Sequence, residues 1–190
     1  IGFLIFIFFP TGNNFYDPYS ICPELSILTE EICFDGIKKE SPTYLPMSTW
    51  ECAPIYVHDC PYPDLFVYEL LRCVPGVERA FFRKVQSEKT IPEVQECGKL
   101  SNDCIRVEML CNTPGVQTCS VNVDGQVQFY EQQKFIAYDA SRPHTISNES
   151  MDSEMISLVV DITRPDYIPK GASNETTSYL DLIKNNTMTK

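Results

Sequence analysis

The residues of this 190-residue chain with the means to do chemistry are nine cysteines, two histidines and a scatter of carboxylates. His58 stands beside Asp59, the two residue types of a general-base pair. Neighbours in an extended segment point to opposite faces, so these two do not form a dyad with each other. His144 with a cysteine would make a nucleophile and its base, and spacing along the chain does not exclude that contact. In an oxidising compartment most of the thiols would be bridged, which removes the nucleophile. Asn122-x-Asp124-Gly125 resembles a fragment of a calcium loop, but the remaining ligands are missing and a hairpin explains it better. No Gly-x-Ser-x-Gly elbow, glycine-rich phosphate loop or His-Glu-x-x-His pair occurs. The expectation is therefore no catalytic residue, no metal site and no cofactor.

The cysteines carry the argument instead. None has Cys-x-x-Cys spacing, so neither a zinc ribbon nor a thioredoxin-like pair is offered. Spread cysteines at this density predict disulfides and an oxidising compartment. Three glycosylation sequons, at Asn148, Asn174 and Asn185, point the same way. The net charge of −11 repels phosphate backbones, and no basic stripe offsets it, which excludes nucleic acid as a partner. With 43% hydrophobic and 22% charged residues, the composition is that of a folded chain.

The elements that must position these residues are mostly strands. In Cys104–Cys111, alternation sets Ile105, Val107, Met109 and Cys111 on one face and Arg106, Glu108 and Leu110 on the other, a half-buried strand. Such a strand holds Cys104 and Cys111 about 23 Å apart, too far to bond. Asn112-Thr113-Pro114-Gly115 is turn chemistry, and folding back there predicts a Cys111–Cys119 bridge. Partners for Cys22, Cys33, Cys52, Cys60, Cys73, Cys97 and Cys104 stay open. At Asp124-Gly125 a three-residue loop, Val123-Asp124-Gly125, is expected, pairing Val121 with Val127 and Cys119 with Phe129. Leu65–Leu71, Lys134–Tyr138 and Met155–Thr163 read as further strands, the last two around a polar loop that would carry an Asn148 glycan on the surface. Arg79, Arg83, Lys84 and Lys89 read as a solvated face or a partner for the acidic remainder.

The apolar Ile1–Pro10 reads as the end of a signal peptide (residues 1–12), with a buried first strand as the alternative. Residues 13–50 form a leader with Cys22 and Cys33, in which a short helix between Ile21 and Ile32 opens at Pro23-Glu24. Trp50 is assigned to the core. Residues 51–168 form a cysteine-rich β domain in which 51–90 and 96–168 echo each other, each with Glu-Cys, Asp-Cys, a third cysteine and Pro-Gly-Val. Residues 169–190 read as a flexible polar tail.

The pattern of Cys104, Cys111 and Cys119, with alternating apolar residues between the first two and a hairpin after the third, resembles small secreted cysteine-rich domains abundant in nematodes. The likeness runs from Cys97 to Ile162, with an echo from Cys52 to Phe82. It implies an extracellular β-rich module without known catalytic residues. The fold class expected is mainly β: a small disulfide-stapled antiparallel sandwich with a short helical leader. The function expected is a secreted or cell-surface module that binds an extracellular protein or glycan without catalysis. A disulfide-linked dimeric signalling ligand and a secreted inhibitor or effector are the alternatives.

Overall fold

The computed structural model describes residues 14–44, 50–57, 65–96, 99–112 and 114–173. After a two-residue strand, β1 (Phe15–Tyr16), come α1 (Pro18–Ile21), α2 (Ser26–Thr29) and α3 (Glu31–Tyr44). Then follow β2 (Trp50–Val57), α4 (Phe66–Leu71), β3 (Val77–Val85), β4 (Lys89–Val94) and α5 (Lys99–Asp103). The chain continues through β5 (Cys104–Leu110), β6 (Cys119–Val123), β7 (Gln126–Phe129), β8 (Phe135–Tyr138), β9 (His144–Asn148) and β10 (Met155–Thr163). One sheet has the order β1-β8-β5-β10-β3-β2 and the other β4-β9-β6-β7. Every ladder between strands is antiparallel. The fold is thus mainly β and two-sheeted, as expected.

The two faces of the six-stranded sheet bury different chemistry. On the outer face Ile105, Val107 and Met109 of β5 and Leu158 and Val160 of β10 meet Leu25, Leu28, Phe34, Ile37, Val67 and Leu71 from the helices. Each such side chain, fully buried, contributes about 1.5–3 kcal/mol. On the inner face Val85, Leu110, Ile136, Tyr138 and Met155 meet Val121, Val123 and Ile146 of the smaller sheet. The predicted partition of β5 between faces holds, but its second face is not wet: all seven residues are buried. A second sheet covers Arg106 and Glu108, and nothing in the local alternation announces that cover.

Several local expectations are corrected. Leu65–Leu71 is not a strand. Val67 and Leu71 share one buried side of α4, and the Glu40 carboxylate accepts from the backbone N–H of Phe66 at 2.6 Å and of Val67 at 3.0 Å. Gly36 on α3 lets this helix come close, because a Cβ there would run into the Phe66 ring. The single helix foreseen between Ile21 and Ile32 is broken into short turns. Leu25 and Leu28 are buried there, while Ile32 is 84% exposed on α3. In the echo between 51–90 and 96–168, the segment before the third cysteine is helix α4 in one part and strand β5 in the other.

The hairpin takes a two-residue loop in place of the expected three-residue one. Asn122 pairs with Val127 and Val123 with Gln126, leaving Asp124 and Gly125 as a two-residue turn. Both have positive φ, 51° and 83°, the type I′ geometry whose twist matches its strands. This register sets polar against apolar residues, Asn122 with Val127 and Val123 with Gln126, at little penalty. β7 is an edge strand whose Val127 and Phe129 are exposed in any case. The strands predicted at Lys134–Tyr138 and Met155–Thr163 are β8 and β10. No helix among the described residues is long and apolar enough to cross a membrane. The proposed signal peptide, His58, Asp59, Cys60, Cys97, Asn174 and Asn185 lie outside the described residues, as do the side chains of Trp50 and Cys52.

Candidate functional site

Charged residues that the sequence presents as scattered are gathered between the two sheets. β10 runs between β5 and β3, and its Asp161 is in register with Arg106 on one side and Arg79 on the other. Arg106 donates from Nε to Asp161 Oδ1 at 2.8 Å and from Nη2 to Oδ2 at 3.0 Å, a bidentate pair. Arg79 donates from Nε to the same carboxylate. Glu96, just past β4, joins both arginines, accepting from Arg106 Nη1 and Arg79 Nη2. Two guanidiniums and two carboxylates thereby close a neutral ring. Burial opposes charge on Glu96 and Asp161, and the adjacent Arg106 and Arg79 prevail, holding both carboxyls below the usual range.

A second centre lies further along the same face. Glu108 on β5 is fully buried and accepts from four side chains. They are Ser157 Oγ at 2.5 Å, Tyr130 Oη at 2.7 Å, Tyr138 Oη at 2.9 Å and Arg83 Nη1 at 3.2 Å. The Phe81 ring lies between the two centres, 5.5 Å from the Arg83 guanidinium carbon and 5.4 Å from that of Arg106. Burial, then the Glu108 charge, pushes both tyrosines above the ordinary 10. The supposed solvated face of Arg79, Arg83 and Lys84 is therefore buried, and only Lys89 of that group is exposed.

His144 enters the interior from β9, with its ring 5.5 Å from that of Tyr138. Its Nδ1 lies 2.9 Å from the Arg142 carbonyl, which accepts, so this nitrogen carries the proton. Burial and the nearby Arg106 charge hold its pKa below the ordinary 6.5. A base of this kind would need a thiol ready to ionise, and the interior offers none. Burial pushes Cys104 and Cys111 up to about 12 and Cys119 to about 11. The reading of His144 as base for a cysteine nucleophile gains nothing from the structure.

The predicted disulfide is absent as well. Cys111 packs in the outer apolar cluster and Cys119 in the inner one, on opposite sides of the large sheet. Cys22, Cys33, Cys73, Cys104, Cys111 and Cys119 are all free thiols. The Asn148 sequon also falls in the interior. That side chain is 1% exposed, and Nδ2, the atom a glycan would take, donates to the carbonyls of Val85, Gln86 and Ser153. A sandwich stapled by Cys111–Cys119 and glycosylated at Asn148 is thus not what the chain builds.

At the end of the sandwich nearest Asp161, an open cleft of about 840 Å³ lies where β5 begins and β10 ends. Glu78, Asn102, Asp103, Arg164, Asp166 and Lys170 line it. Arg164 is fixed there by Asp139, at 2.9 and 3.1 Å, and by the carbonyls of Cys104 and Pro169. Glu96, Arg106, Glu108, Tyr130, Tyr138, Ser157 and Asp161 were all missed as site residues. The available signal was Asp161, a lone charge within the apolar run of β10, alongside Arg106 and Glu108 alternating in β5.

A family model described as aspartyl/asparaginyl beta-hydroxylase matches residues 56–165, from the end of β2 to just past β10. Among solved structures, an oxidoreductase of the 2OG-Fe(II) oxygenase family from Burkholderia pseudomallei is similar, with a TM-score of 0.50 and 12% identity, covering 78% of this chain and 84% of that one. The cupin domain of Schizosaccharomyces pombe Cnp3 has a TM-score of 0.44 and 10% identity, covering 65% and 71% of the two chains. A Cupin_2 domain of an XRE family transcriptional regulator from Enterobacter cloacae has a TM-score of 0.43 and 12% identity, covering 62% and 100%. No curated protein matches. At these identities the likeness to the Burkholderia protein shows the fold alone. The family match overturns the likeness to nematode cysteine-rich domains, because it runs through the whole stretch, Cys97 to Ile162, on which that likeness rested. It overturns, too, the expectation of a non-enzymatic binding module and its alternatives, a signalling ligand or an inhibitor, since the matched family is one of hydroxylases. With more than half of its length matched and the matched part forming both sheets, the chain belongs to the aspartyl/asparaginyl beta-hydroxylase family.

Proposed function

We propose that the protein is a hydroxylase-type enzyme that places a hydroxyl on the β-carbon of an aspartyl or asparaginyl side chain. The observation that carries this reading is the family match over residues 56–165, which spans the strands holding the buried polar interior. The cleft at the Asp161 end of the sandwich suits a polar side chain, with Arg164 and Lys170 as cations beside the carboxylates of Glu78, Asp103 and Asp166.

The oxygenase family named for the Burkholderia protein implies ferrous iron, and the donor set here can be tested against it. A facial triad takes two histidines and a carboxylate with open lone pairs. Among the described residues His144 is the one histidine, and no three of His, Cys, Asp and Glu are grouped to hold a metal. Asp161, Glu96 and Glu108 are each committed to arginine. The described residues do not fit the ion, and no step is drawn through it.

The test is incubation of the purified full chain with aspartyl- and asparaginyl-containing peptides, dioxygen, 2-oxoglutarate and ferrous iron, followed by mass spectrometry. A gain of one oxygen atom, located by fragmentation on an Asp or Asn side chain, is expected. Unmodified peptides across a diverse library would sink the proposal.

A further inference from the structure

We infer that the sandwich interior is a closed, metal-independent ion-pair lattice, in which Asp161, Glu96, Glu108 and His144 ligate no divalent cation and arginines neutralise the buried carboxylates. Buried carboxylates need compensation, from a cation or from fixed positive groups. Here the fixed groups are in place. Asp161 Oδ1 accepts from Arg106, and its Oδ2 accepts from both Arg106 and Arg79. Each oxygen of Glu96 is met by one of the same two guanidiniums. Glu108 shares its two oxygens among Arg83, Ser157, Tyr130 and Tyr138.

A divalent cation arriving at Asp161 would therefore meet two guanidiniums already seated on the carboxylate. Both side chains are nearly inaccessible, 4% and 0% exposed, so neither arginine has solvent into which to retreat. Displacing either one leaves a buried cation without its partner, before the metal loses any of its own water. His144 alone does not make a site: its Nδ1 donates to the Arg142 carbonyl, which leaves Nε2 as its one lone pair, and no three of His, Cys, Asp and Glu among the described residues are grouped to hold an ion. The neutral ring of Arg79, Asp161, Arg106 and Glu96 does the work a bound ion would otherwise do.

The experiment titrates the full chain with manganous and cobaltous chloride, reading manganese by electron paramagnetic resonance and cobalt by its visible bands. The expected result is no saturable site that depends on Asp161, Glu96, Glu108 or His144. A saturable cobalt site that persists unchanged in D161N, E96Q, E108Q and H144Q would also support the lattice, since its ligands would lie elsewhere. Loss of such a site in any one of those variants, folded by circular dichroism, would overturn it. Should the variants fail to fold, the unaltered chain decides. Manganese that selectively broadens the Arg79 and Arg106 Nε–H resonances overturns the inference, and unbroadened signals support it. The result is independent of the peptide assay, because hydroxylation with or without a lattice-bound metal is read separately from metal binding.

Discussion

Glu108 is the residue on which most hydrogen bonds converge, and its neutral isostere measures what the charge does. Glu108→Gln leaves the Arg83 cation without its carboxylate and points an amide N–H₂ toward hydroxyls that currently donate. A loss of about 3–5 kcal/mol in urea unfolding is expected, the cost of breaking a buried pair from one side. His144 gives a pH signature. Its folded pKa lies below the ordinary 6.5, so the unfolded chain binds the proton first as pH falls. Its contribution to stability is complete above about pH 6.5 and is lost as pH falls through the depressed folded value. His144→Gln should flatten the stability–pH curve in that window and leave the further loss near pH 4, where Glu96 and Asp161 titrate on unfolding. An unchanged slope would mean that His144 is not held neutral.

Strands were more legible than their surroundings. Alternation in Cys104–Leu110 and the apolar run of Met155–Thr163 placed β5 and β10 correctly, because a strand's period is local. Helix α4 was not legible, since Glu40, which caps it, lies 26 residues before Phe66 and the apolar run alone does not distinguish strand from helix. The hairpin was misjudged because its register was argued from clean faces, and β7 sits at an edge where one face is not buried. The turn itself offers a test. Gly125 at φ 83° takes a conformation that costs an L-residue about 1–2 kcal/mol, so Gly125→Ala should lose about that much in thermal or urea unfolding. A neutral substitution would mean that Gly125 does not hold this left-handed conformation.

For the molecule as a whole, the cysteine count misled most. Density and spacing predicted staples, yet Cys22, Cys111 and Cys119 are buried among apolar neighbours, a common place for free thiols. Alkylation mapped by mass spectrometry should find Cys73 modified first among the described cysteines of the native chain, because it is exposed, and Cys111 modified only on unfolding. Recovery of a Cys111–Cys119 linked peptide would contradict the arrangement of the two clusters. The buried site was illegible for a related reason: Arg79, Arg106 and Asp161 are distant in sequence, and the fold alone makes them neighbours.

That same three-strand row also acts as a key for strand alignment. A one-residue slip of β10 would turn Asp161 toward the outer apolar layer, where Ile105, Val107 and Leu158 pack. A two-residue slip keeps it inside but sets it opposite Cys104 or Glu108 on β5, in place of Arg106. On the other side it would lose Arg79 for Phe81 or Val77. Apolar contacts alone discriminate poorly between the native alignment and a two-residue shift, since Ile, Leu and Val substitute for one another at modest cost. Opposite charges in one row do discriminate. Arg79, Asp161 and Arg106 thus select one alignment of three central strands from several of comparable hydrophobic content.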